Sequence, residues 1–201
     1  NNIPYIADEV QSGMGRTGQW WAFEHYGIQP TVISAAKALQ VGATIANKNF
    51  FPQEPGSISS TWGGGHTIDL AVGIATIQTI KKERLLSSAE SMGRYLQQRM
   101  MQLADLHAEI ERPRGLGLMR AFDLPTKKMR DDVVIAALQE GLVLLGCGER
   151  SIRLIPPLIV KEKEIDAAVA IIERAVKKCA AQKFQHTGKI CNYIDCGGNV
   201  T

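Results

Sequence analysis

The sequence places an acid and an amine where both could act on one ligand. Asp8 follows the apolar run of residues 3–7, and Lys37 follows a second apolar run, residues 30–36. We interpret both runs as buried strands of an α/β sheet, since strands covered on both faces are continuously apolar. Ligands of open α/β sheets bind outside the carboxyl ends of the strands. Asp8 and Lys37 are therefore expected to point into the same crevice.

Lys37 has neighbours that suit an amine with a chemical role. It lies in SAAKALQVGA, among small and apolar residues, and a lysine so placed can serve as a Schiff-base nucleophile. The alternative is that Lys37 pairs with Asp8 or caps a strand end. Spacing alone favours that structural role. For Glu9, the residue after Asp8, we expect a side chain that points away and accepts structural hydrogen bonds.

Four motifs occur in an order that is typical of one enzyme family. They are DEVQSGMGRTG at 8–18, AKAL at 36–39, SSTWGGG at 59–65 and IRLIPPL at 152–158. Over residues 3–180 the chain resembles the C-terminal portion of the class III aminotransferases, which depend on pyridoxal 5′-phosphate and have fold type I. The resemblance implies an α/β fold and the transfer of an amino group to a 2-oxo acid.

The resemblance also implies roles for four residues near the first two motifs. Asp8 corresponds to the aspartate that ion-pairs with the pyridine nitrogen of the cofactor and keeps the ring protonated, so that the ring can accept electrons. Val10 would pack on one face of the ring, and Gln11 would reach its 3′ oxygen. Lys37 would form the internal aldimine and later move the proton between substrate and cofactor carbons.

Two further residues are implied by the later motifs. Thr61 corresponds to the threonine that reaches the cofactor phosphate of the neighbouring subunit, which implies a homodimer with a shared site. Arg153 corresponds to the arginine that receives the carboxylate of the 2-oxo acid, because a guanidinium binds both oxygens of a carboxylate. The alternative for Arg153 is an exposed strand residue.

The chain departs from the family pattern in two places. Residues 40–43 are Gln-Val-Gly-Ala where many members carry a glycine run, and residues 63–66 are Gly-Gly-Gly-His where many carry Gly-Gly-Asn-Pro. The STWGGG segment is similar to lysine 6-aminotransferases and 4-aminobutyrate aminotransferases more than to ornithine enzymes. The resemblance to the family as a whole implies an ω-amino acid donor, such as lysine, 4-aminobutyrate or ornithine.

Other functions stay open on the residues alone. A pyridoxal-phosphate-dependent racemase or aminomutase on the same fold would share the chemistry of Lys37. A truncated or degenerate homologue would keep the fold without activity. Because the chain begins within an apolar run rather than with Met, we expect a C-terminal portion of a longer protein, inactive by itself.

The elements that must position these residues alternate along the chain. We predict helices over 67–85, 88–106, about 131–140 and about 161–182, with Asp131 near the N-cap of the third and Gly141 just beyond its end. Residues 108–124 read as two strands with a turn at 113–115. We assign 1–87 to part of the large cofactor-binding domain, 88–182 to a small α+β domain and 183–201 to a poorly ordered tail.

Composition narrows the function classes. The chain has 201 residues, 45% of them hydrophobic, and a net charge of +3. This charge is too small to indicate nucleic-acid binding, and we expect neither a membrane-spanning run nor a signal peptide. The four cysteines lack zinc-site spacing, and a metal held by His186, Cys191 and Cys196 is not expected. A cytoplasmic setting and small-molecule substrates are expected.

Overall fold

The computed structural model describes residues 3–54 and 66–184. The chain divides into two compact units, residues 1–90 and 91–201. This division lies near the predicted boundary at 87/88, and the assignment of the units to a large and a small domain stays a proposal. Thr61, His186, Cys191 and Cys196 lie outside the described residues.

The first unit contains a three-stranded sheet and one long helix. The strands are β1 (Ile6–Asp8), β2 (Val32–Ala35) and β3 (Ala43–Ala46). β2 lies between the other two, parallel to β1 and antiparallel to β3. Short 3₁₀ helices occupy Ala22–Tyr26, Lys37–Leu39 and Lys48–Phe50, and helix α1 runs from Thr67 to Lys82.

The expected burial of β1 on both faces is wrong for this unit. Ala7 is buried, but Ile6 is 62% exposed. β1 is the edge strand of the described sheet and pairs on one side only, with β2. Its outward side chains therefore face solvent in the part of the chain that the structure describes.

The second unit has its own sheet and core. Helix α2 (Leu85–Leu106) leads into it, followed by β4 (Glu111–Leu116), β5 (Met119–Asp123), α3 (Lys127–Gln139), β6 (Leu145–Cys147), β7 (Ser151–Leu154) and α4 (Glu162–Ala180). The strand order is β4-β5-β7-β6, and each neighbouring pair is antiparallel. Side chains less than 2% exposed form the core and include Leu118, Phe122, Ile135, Ile152 and Ile172.

The predicted turn at 113–115 is wrong, because the chain reverses at Gly117–Leu118 between β4 and β5. Pro113 instead lies inside β4, where the register shifts between Glu111 and Arg114. A β-bulge of this kind accommodates a proline that cannot donate to the ladder. Gly117 has a φ of 49°, which suits a tight reversal.

The start of α3 also differs from the prediction. Thr126 is the N-cap, and its hydroxyl accepts the backbone N–H of Met129 at 3.1 Å. Asp131 lies inside the helix, 3% exposed, and pairs with Arg130. Gly141 follows the helix with a φ of 89°, as predicted. Within residues 3–54 and 66–184, no helix is long and apolar enough to cross a membrane.

Candidate active site

Asp8 and Lys37 are carried by adjacent parallel strands of the first unit. Asp8 is the last residue of β1 and lies beside Ser34 of β2 in the strand register. Lys37 begins the 3₁₀ helix that directly follows β2. Because parallel neighbours end at one edge of a sheet, Asp8 and Lys37 lie at the same edge, and a crevice shared by their side chains remains a prediction.

The carboxylate of Asp8 is oriented by two hydrogen bonds. Its Oδ1 accepts the backbone N–H of Val10 at 3.1 Å and the hydroxyl of Ser34 at 3.3 Å. Both contacts meet the same oxygen, Oδ1, and together they set the orientation of the carboxylate. Ser34 was missed by the sequence reasoning, although a hydroxyl residue three positions before Lys37 is a visible signal.

Glu9 anchors the turn that follows β1. Its side chain is 4% exposed, and its two oxygens accept the backbone N–H of Phe23 at 3.0 Å and the hydroxyl of Ser12 at 2.6 Å. The backbone of Glu9 also donates to the Ser34 carbonyl at 2.9 Å. A buried carboxylate needs such donors, so Glu9 has the structural role that the sequence predicts.

Val10 and Gln11 lie in a turn rather than on the strand. β1 ends at Asp8, and residues 10–17 form consecutive turns. The strand alternation that would place Val10 on the same face as Asp8 therefore does not apply. Both residues are half-buried and follow the candidate acid directly. Their contacts with a cofactor remain predictions.

Arg153 belongs to the second unit. It lies on β7 between Ala121 of β5 and Leu145 of β6. It is half-exposed and lines a mostly apolar cavity of about 300 Å³ within that unit. Thr61 lies outside the described residues, so both substrate recognition by Arg153 and phosphate binding by Thr61 remain predictions.

Comparison with known proteins decides the family. The sequence profile of the family "Aminotransferase class-III" matches residues 1–176. This chain belongs to the class III aminotransferases. The expected family and α/β fold are thereby confirmed.

Three relatives illustrate the match of this aminotransferase chain. An acetylornithine aminotransferase of Caldanaerobacter subterraneus is 34% identical over 177 residues, covering 86% of this chain and 44% of the relative. An L-lysine-epsilon aminotransferase of Mycobacterium tuberculosis is 37% identical over 179 residues, covering 85% of this chain and 39% of the relative. The solved structure of lysine aminotransferase from M. tuberculosis in the internal aldimine form gives a TM-score of 0.79 at 36% identity. The match covers 86% of this chain and 41% of that structure's chain.

The aminotransferase chain spans about two fifths of the length of the relatives that it matches. It nevertheless has groups that fit pyridoxal phosphate. Asp8 offers a carboxylate oxygen to a protonated ring nitrogen, and Lys37 offers an exposed primary amine to an aldehyde. Both residues follow the carboxyl ends of neighbouring strands at one edge of the sheet. Among the described residues, no group of His, Cys, Asp and Glu could hold a metal ion.

Proposed function

We propose that the full-length protein is a pyridoxal-phosphate-dependent aminotransferase that moves a terminal amino group from an ω-amino donor to a 2-oxo acid. The observation that carries this proposal is the emergence of Asp8 and Lys37 from adjacent parallel strands. Membership of the class III aminotransferases supports it. The relatives named for acetylornithine and L-lysine support a donor whose reacting amine is terminal.

Each residue has a distinct task in the proposed reaction. Pyridoxal phosphate, when bound, supplies an electron sink for the negative charge that develops on the substrate carbon. Asp8, with Oδ1 already held by Val10 and Ser34, uses its carboxylate to keep the proton on the ring nitrogen. The Nζ of Lys37 binds the cofactor and later moves a proton to and from the substrate carbon.

The remaining residues are proposed to bind and orient the cofactor and the 2-oxo acid. Val10 would pack against the ring of the bound cofactor, and Gln11 would donate to its 3′ oxygen. Arg153 receives the carboxylate of the 2-oxo acid through two parallel hydrogen bonds. Thr61 serves the phosphate in the partner subunit's site, so the active form is a homodimer, and a two-fold arrangement is the commonest closed form.

A spectroscopic half-reaction tests the function. The full-length protein is loaded with pyridoxal phosphate and mixed with L-lysine, N-acetylornithine or 4-aminobutyrate. The visible absorbance of the bound cofactor is expected to disappear with a donor and to return when a 2-oxo acid is added. Absorbance that responds to no terminal amine contradicts the proposed donor class, and absence of amino transfer to any 2-oxo acid contradicts the activity.

Substitution of the acid tests the role of Asp8. Asp8→Asn is expected to retain cofactor binding and to lose most of the turnover, because the amide cannot hold the ring nitrogen protonated. Glu83→Gln, which changes an exposed acid at the end of α1, is the control and is expected to leave turnover unchanged. Near-normal turnover of Asp8→Asn would rule out the ion pair.

A further inference from the structure

The turn that carries Lys37 is closed by Gln40. The carbonyl oxygen of Lys37 accepts the backbone N–H of Gln40 at 3.2 Å and the side-chain Nε2 of Gln40 at 2.7 Å. Two donors of one residue therefore converge on the backbone of the lysine. These bonds restrain the backbone from which the Lys37 side chain departs, and Lys37 itself is an exposed residue.

Gln40 adopts a backbone conformation that glutamine rarely takes. Its φ is 66° and its ψ is 2°, in the left-handed region. Glycine adopts this region without steric cost, and many class III aminotransferases carry a glycine run after the lysine. A strained residue persists where the surrounding structure fixes it, and such residues cluster at functional sites. The side-chain hydrogen bond to Lys37 is a contact that glycine cannot make.

The other side of the same turn packs against α1. A Cβ built on Gly73 of α1 would lie 3.2 Å from the Leu39 carbonyl oxygen and 3.2 Å from Cγ1 of Val41. Leu39 itself is 9% exposed. The helix thus approaches the backbone after Lys37 closely, and the turn is fixed by α1 together with the side chain of Gln40.

We propose that Gln40 is a positioning residue for Lys37. By donating to the Lys37 carbonyl, it holds the 3₁₀ turn in one conformation, so that less freedom is lost when the amine engages the cofactor aldehyde. This inference rests on the proposed function, because it assigns the held amine to pyridoxal phosphate. At Gln40 this chain differs from the glycine run that many members of the family carry.

Two variants separate the hydrogen bond from the backbone conformation. Gln40→Glu keeps the length of the side chain but replaces the donor with an acceptor. Gln40→Gly keeps access to the left-handed backbone and removes the side chain. Gln53→Glu is the matched control, because it makes the same chemical change beside the turn of another lysine, Lys48. There Nε2 of Gln53 donates to the Phe51 carbonyl at 2.8 Å.

Two measurements on the full-length protein are made for each variant. The first is the dissociation constant of pyridoxal phosphate, followed by absorbance. The second is hydrogen exchange of the residue-40 amide in the cofactor-free protein. We expect both Gln40 variants to bind about threefold to tenfold more weakly, as the loss of one hydrogen bond predicts, and to exchange faster. Gln53→Glu is expected to change neither.

The outcomes distinguish this inference from the proposed function. Wild-type affinity in both Gln40 variants, or unchanged exchange at residue 40, overturns the positioning role. If the wild-type protein binds no pyridoxal phosphate, the proposed function fails instead. In that case, hydrogen exchange of the residue-40 amide in the cofactor-free protein still tests whether Gln40 stabilises the Lys37 turn. Faster exchange in the variants supports this stabilisation, and unchanged exchange refutes it.

Discussion

Asp123 of the second unit is a buried acid with three side-chain donors. Its side chain is fully buried and accepts hydrogen bonds from Ser151 at 2.5 Å, from Arg114 at 2.8 Å and from Arg112. Burial alone would raise its pKa, but these donors outweigh burial and lower the pKa from 3.8 to about 2. Ionised Asp123 therefore stabilises the fold at neutral pH.

Asp123→Asn is expected to lower the free energy of unfolding by about 1–3 kcal/mol near pH 7, since one partner of a buried charged network is removed. Because the folded pKa is depressed, this difference is fully present above the unfolded pKa and shrinks as pH falls from about 4 towards 2. Urea unfolding at several pH values measures it. Asp105→Asn, an exposed control on α2, should show no such trend, and a pH-independent effect of Asp123→Asn would contradict the explanation.

At the scale of elements, α2 lies unusually close to the turn between β4 and β5. A Cβ on Gly93 would fall 2.2 Å from the Gly117 carbonyl oxygen, which is far inside van der Waals contact. Gly93→Ala is therefore expected to destabilise the protein by about 2 kcal/mol, despite the better helix propensity of alanine. Gln98→Ala, at an exposed position of α2, should stay within about 0.5 kcal/mol of wild type in urea unfolding. Equal stabilities of the two variants would show that the helix can move away.

Elements with strong local signals were predictable from the sequence, and those fixed by tertiary partners were not. The ends of β1 and β2 followed from their apolar runs, and α4 followed from its helical period and charge placement. Pro113 led to a wrong turn prediction, because β4 accommodates the proline at an irregularity in its register. Asp131 led to a wrong N-cap prediction, because it lies inside α3 and pairs there with Arg130. The hydrogen bond from Gln40 to Lys37 has no direct signal in the residue pattern, because it depends on the backbone conformation of the turn.

At the scale of the whole molecule, both units leave some large apolar side chains exposed, but most of the buried apolar side chains among the described residues belong to the second unit. The second unit buries a contiguous core that includes Phe122, which is 1% exposed. We expect a polypeptide of residues 85–184 to unfold in urea with one cooperative transition. Phe122→Ala should lower its midpoint sharply, since such truncations cost about 3–5 kcal/mol. A polypeptide without a transition would show that the unit depends on other parts of the protein.

The first unit leaves large apolar side chains exposed in the described structure. Ile3 is 79% exposed, Ile68 is 65% exposed and Ile74 is 57% exposed. Residues 1–201 by themselves are therefore expected to self-associate, because exposed apolar patches and an open sheet edge favour association. Sedimentation velocity measures the self-association of residues 1–201, with the polypeptide of residues 85–184 as the comparison. A 201-residue chain that sediments as a monomer would contradict the expectation.

The central claim is that Lys37 is the residue that binds pyridoxal phosphate. Borohydride reduction of the cofactor-loaded full-length protein, followed by peptide mapping with mass spectrometry, tests it most directly. We expect a pyridoxyl group on Lys37 of the wild-type protein and none at position 37 of the Lys37→Ala variant. A pyridoxyl group on Lys48 or Lys81 in the wild-type protein, with Lys37 unmodified, would contradict it.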